Sequence, residues 1–109
     1  MKKSMSKSAE NQTFIKYVIL LSMNPGKSFN EELIRSHVAY LRDLQSMGKL
    51  VMCGPFADVP GGMVIIEAEN LEEAKALAER DPFIKSGTEN YELRAWEISC
   101  EENNHLGMG

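Results

Sequence analysis

The side chains best suited to chemistry in this 109-residue chain are His37 and the acid of the Asp81-Pro82-Phe83 stretch. His37 interrupts the apolar stripe Leu33, Ile34, Val38, Leu41 and Leu44 of a helical segment. An imidazole aimed at a core must find a hydrogen-bond partner, titrate or destabilise the fold. Burying it unpaired costs roughly 1–3 kcal/mol. Asp81, just after a second helical segment, is the candidate partner. A carboxylate bonded to one imidazole nitrogen fixes the tautomer and strengthens the other nitrogen as a proton acceptor, as a general base requires. The same pairing has a plainer use, since a partly buried histidine–carboxylate bond also fastens a helix to a loop. An aspartate ahead of a proline can likewise just end a helix.

Other chemistries find less support. Cys53 and Cys100 make neither a disulfide framework nor a metal site. Cys53, within an apolar strand, is expected to be a small buried thiol, and Cys100 is placed where it can be exposed. Unpaired cysteines fit a reducing, cytoplasmic compartment. The net charge of −4 and a pI near 5.2 give no electrostatic footprint for nucleic acid. No apolar run approaches the roughly 18 residues of a membrane span. Lys2, Lys3 and Lys7 have no apolar stretch behind them, so no secretory signal is read there. Ser36 adjoins His37, but neighbouring helical residues do not face each other. Gly61-Gly62 reads as a turn and not a phosphate loop, because no helix start follows it. Tyr17 and Tyr40 read as core or interface aromatics, Met47, Met52 and Met63 as packing residues, and Trp96 as an interface or core anchor. His105 reads as a solvated imidazole.

The elements that must position His37 and Asp81 follow from periodicity. Residues 14–23 are β-branched and aromatic and stop at the turn signal Asn24-Pro25-Gly26. Residues 31–47 form an amphipathic helix, with Asn30 as N-cap, Glu31 and Glu32 at the positive end of its dipole, and Gly48 closing it. Strands are expected over residues 49–56, 63–68 and 90–99. Between the last two, Asn70 starts a second helix, with Glu73 at the capping-box position and a stripe of Leu71, Ala74, Leu77 and Ala78. Asp81-Pro82 limits that helix. Residues 1–13 read as a disordered leader, 14–100 as one domain, and 101–109 as a flexible tail.

The order βαββαβ is that of the ferredoxin-like α+β sandwich, an antiparallel sheet with two helices on one face. The first and third strands, apolar on both faces, are the expected central pair, and the charged fourth strand an edge. The helix-free face is then apolar, and a twofold dimer with two sheets face to face is the economical cover.

One ordered set is more specific: His37-Val38-Ala39-Tyr40-Leu41, then Leu44, Gly48, Leu50, Gly54-Pro55-Phe56, Gly61-Gly62 and Asp81-Pro82-Phe83. It resembles the YCII-related, YciI-like family of the dimeric α+β barrel superfamily, over roughly residues 14–99 of this chain. The resemblance implies an active-site pair of His37 and Asp81, with Gly54, Pro55 and Phe83 at the substrate. It implies no cofactor and no metal, a small-molecule ligand, and a homodimer. Related proteins act on small cyclic or phenolic compounds by isomerisation, dehalogenation or proton shuttling. Where many relatives carry an arginine three residues before the histidine, this chain has Ile34, with Arg35 beside it. The loop from Ala57 to Pro60 is also short, which implies a less covered pocket. Two functions stay open: a lyase-, isomerase- or dehalogenase-type enzyme, and a non-catalytic ligand-binding or accessory module whose His–Asp bond is structural.

Overall fold

A computed structural model describes residues 14–105. Strand β1 runs Ile15–Met23, helix α1 Glu31–Ser46, β2 Leu50–Pro55, β3 Gly62–Ile66, helix α2 Leu71–Ala78, a one-turn helix α3 Pro82–Lys85, and β4 Glu89–Glu97. The sheet order is β2-β3-β1-β4, every neighbouring pair antiparallel. This is the ferredoxin-like α+β fold of the dimeric α+β barrel class, with the two central strands where two-sided apolarity requires them.

Local signals explain the helix limits. The Asn30 side chain accepts a hydrogen bond from Leu33 N at 2.7 Å, and Glu31 and Glu32 occupy the first turn of α1. At the other end Gly48 is left-handed, its N–H bonds Gln45 O at 3.0 Å, and Lys49 N bonds Leu44 O at 2.9 Å. That crossed pair is a Schellman stop. Asn70 caps α2 by accepting from Glu73 N at 2.8 Å. Glu73 reaches one residue beyond the cap, accepting from Glu69 N at 2.7 Å, so the capping box is displaced outward.

The core lies between the helices and one face of the sheet. Tyr17, Ile19 and Leu21 of β1 meet Tyr40 and Leu44 of α1 and Leu77 of α2. The Tyr40 hydroxyl donates to Leu77 O at 2.8 Å and ties the helices together. Burial raises its phenol well above the ordinary range. Tyr40 and Tyr17 are thus core aromatics.

Several packing expectations change. Ile34 and Val38 are exposed, and Tyr40 takes the inward place, its hydroxyl reaching Leu77 of α2. Leu71, at the first turn of α2, is exposed too. Cys53 is exposed rather than buried, since β2 is an edge strand whose helix-side positions reach past the cover of α1. Met47 and Met52 are exposed, so neither is a core packing residue. Trp96 is 46% exposed, which removes its core role.

Of the expected tail, Glu101–Asn103 forms a 3-10 turn, with Asn103 bonding Cys100 N and Ile98 O. His105 is exposed, as expected. The leader over residues 1–13, and residues 106–109, lie outside the described residues. Among the described residues no helix is long and apolar enough to cross a membrane.

Candidate active site

The end of α2 brings Asp81 under α1. After Ala78 the chain turns, Asp81 N bonds Ala78 O at 3.1 Å, and Asp81 becomes the N-cap of α3 with Pro82 at its first position. Its Oδ1 accepts from Phe83 N at 2.9 Å and meets His37 Nδ1 at 2.8 Å. Helix cap and histidine partner are therefore one oxygen, and the cap starts α3 rather than ending α2, which stops at Ala78. Asp81 is 2% exposed and lies behind the imidazole, outside the pocket wall. An acceptor at Nδ1 selects the tautomer with the proton on Nδ1, leaving Nε2 with a free lone pair.

Aromatic contacts hold the ring flat. Phe83 stacks on His37 with centroids 3.9 Å apart and planes 6° from parallel. Phe29 stacks on the far side of Phe83 at 4.5 Å. The imidazole therefore has one hydrogen bond and one apolar face to fix its orientation.

His37 lines a pocket of about 510 Å³ between α1, α3 and the β2–β3 hairpin. Gly54 and Pro55 form its strand wall, Gly61 and Gly62 the hairpin base, and Phe83 the floor beside the ring. The five residues expected at the site are thus brought together, four in the wall and Asp81 behind it. Gly61 has φ +107°, and a Cβ there would overlap the carbonyl of Leu21. The hairpin closes with Phe56 N bonding Gly61 O at 2.9 Å.

Arg35 takes no part. Its guanidinium bonds Glu31 at 2.8 Å, one turn back on the exposed side of α1, while Ile34 contributes an apolar surface to the pocket.

Among the wall residues that escaped the sequence reasoning, two carry a thiol or a carboxyl. Cys53 enters through its exposed position on β2. Glu89 is the more unusual: it is 4% exposed, and its Oε1 has no hydrogen-bond partner. Burial, and then the nearby Asp81 carboxylate, raise its pKa above the ordinary glutamate value, against a smaller opposing effect of His37. A signal did exist. Glu89, Tyr91 and Leu93 share the helix-side register of β4 opposite Met23, Leu21 and Ile19. Beginning the strand at residue 90 hid the inward-facing acid.

An α+β sandwich with an apolar pocket over a histidine–aspartate pair is the class of protein that fold and site define. The chain belongs to the YCII-related domain family, whose pattern spans residues 15–97. It is 38% identical over 80 residues to uncharacterized protein YjpA of Bacillus subtilis (strain 168), covering 73% of this chain and 93% of that relative. Among solved structures it is similar to the 5-chloro-2-hydroxyhydroquinone dehydrochlorinase TftG of Burkholderia phenoliruptrix AC1100, in complex with 2,5-dihydroxybenzoquinone. That similarity has a TM-score of 0.62 at 26% identity, and covers 82% of this chain and 99% of the other.

Proposed function

We propose that this chain is a small enzyme that moves a proton on a compact cyclic or aromatic substrate, with His37 as the acid–base group and Asp81 as its orienting partner. The observation that carries this is the 2.8 Å bond between His37 Nδ1 and Asp81 Oδ1, in a ring that lines an apolar pocket. Nε2 takes a proton from a ring hydroxyl as the ring shifts to its keto form. The imidazolium then returns that proton to a ring carbon, so the net change is isomerisation. Where that carbon carries chlorine, loss of a second hydroxyl proton together with chloride gives a net loss of HCl. The similarity to a dehydrochlorinase supports this substrate class. Gly54, Pro55 and Phe83 shape the cavity around the ring. The acting unit is the domain of residues 14–100, working in the cytoplasm as a homodimer joined through the helix-free sheet face and needing no cofactor or metal for the proton transfer itself.

The test is turnover of chlorinated and unchlorinated hydroxyhydroquinone by the parent and by His37→Gln. Loss of a positioned acid–base group is expected to slow turnover about 100-fold or more. A second function is favoured by the shared oxygen of Asp81, which fastens α1 to α3 whether or not chemistry follows. Binding without turnover, equally tight in His37→Gln, would establish that ligand-binding role instead.

A further inference from the structure

Glu89 does not take part in the proton transfer described above, yet its position is costly for a structural residue. It stands at the start of β4 on the helix side of the sheet, opposite Met23. Its carboxyl is buried in the pocket wall, and Oε1 has no protein partner. A buried polar group left unsatisfied is rare in native proteins and calls for a specific cause. The rest of the wall is apolar or glycine except for His37 and Cys53. Neither the preceding Thr88 nor Asn90, next on the strand, bonds that oxygen. The terminal torsion of a glutamate is soft and roughly twofold, so either carboxyl oxygen can turn to the cavity.

We propose that Glu89 is the second polar binding group of this pocket, hydrogen-bonding one oxygen of a ligand whose other oxygen meets His37, so that the site takes small planar compounds carrying two oxygen functions. The inference rests on the proton-transfer reading only in placing a ligand oxygen at His37. A carboxyl can meet either kind of ligand oxygen: the acid, toward which burial and the Asp81 charge shift it, donates to a carbonyl or hydroxyl oxygen, and the carboxylate accepts from a hydroxyl. His37 on α1 is the group that opposes that shift, and Asp81 at the α3 cap the one that reinforces it. A ligand with one oxygen satisfies only half of this wall, and discrimination by an unpaired buried polar group is strong.

The experiment is an NMR titration with phenol and with the three dihydroxybenzenes, using the parent, Glu89→Leu, Glu89→Gln and His37→Leu. At least one dihydroxybenzene is expected to bind the parent about tenfold more tightly than phenol, as one added hydrogen bond allows. Glu89→Leu should erase that preference and leave phenol unchanged. Glu89→Gln should keep it, because the amide both donates and accepts. Melting curves establish that each variant is folded, and the glutamine variant keeps the shape where leucine disturbs it. A preference that survives in Glu89→Leu, or no preference in the parent, overturns the proposal. Failure of the His37 role reads differently: His37→Leu would then leave phenol and dihydroxybenzene binding alike unchanged.

Discussion

The two carboxyls near His37 are set apart by their partners. Asp81 Oδ1 has two donors, His37 Nδ1 and Phe83 N, whereas Glu89 Oε1 has none. Removing Asp81 strands both donors. Asp81→Ala is expected to destabilise the fold by about 2–4 kcal/mol in denaturant unfolding, while Asp81→Asn costs less because its amide oxygen still accepts. Equal losses for the two variants would count against a hydrogen-bonding role. Glu89 acts in the opposite sense. Its folded pKa lies above the unfolded value of 4.5, so the folded state holds the proton longer. Below the unfolded value both states are protonated and burial of the charge is not an issue. As pH rises from there through the folded value, ionisation progressively destabilises the fold. The melting temperature of Glu89→Gln minus that of the parent should therefore grow between pH 4 and neutrality. A difference independent of pH would show that Glu89 does not titrate differently on folding.

Elements hold these residues at their distances. The β2–β3 hairpin carries Gly54 and Pro55 to the pocket only because its return residue, Gly61, adopts a left-handed conformation against the Leu21 carbonyl. Gly61→Ala combines conformational strain with a backbone clash and should destabilise by more than about 2 kcal/mol, the top of the range for left-handed backbone alone. Gly48→Ala is also left-handed but faces open space, and should cost about 1 kcal/mol. Unfolding of both variants checks the ranking, and the reverse order would refute it. The elements were legible to different depths. Asn30, Gly48 and Asn70 act locally, so the helix ends followed from residue type. The α3 turn did not, because Asp81-Pro82 looked like a stop when it was also a start: the aspartate caps and the proline leads. The strand edge at Glu89 was missed because a lone acid beside a Gly-Thr turn looks like loop.

At the scale of the molecule, the helix-free sheet face is where the proposed homodimer is tested. Val18 and Ile65 at its centre are already buried in the single chain, whereas Met52 and Trp96 toward its edges are 62% and 46% exposed. Arg94 and Glu92 share the β4 side of this face, so the apolar patch is narrower than strand composition suggested. The proposed homodimer would take Met52 and Trp96 out of water, since both stand on the face it covers. The double variant Met52→Glu, Trp96→Glu is expected to sediment as a monomer where the parent sediments as a dimer. A parent that is monomeric at micromolar concentration would exclude this assembly.

The order of elements, the central pair of strands and both helix caps were set by local patterns and by the single topology that joins them, whereas His37 and Asp81, 44 residues apart, meet only in the fold. A period of two or 3.6 and a cap are properties of neighbouring residues, and the right-handed crossover leaves little choice in how they assemble. Tertiary structure alone decided which way α1 is turned, so that Tyr40 enters the core and Ile34 the pocket, and that an edge strand leaves Cys53 open. It also decided that Glu89 stands with Oε1 unpaired in the wall of the pocket that His37 lines. Those outcomes depend on what covers each residue, and cover comes from parts of the chain far away in sequence.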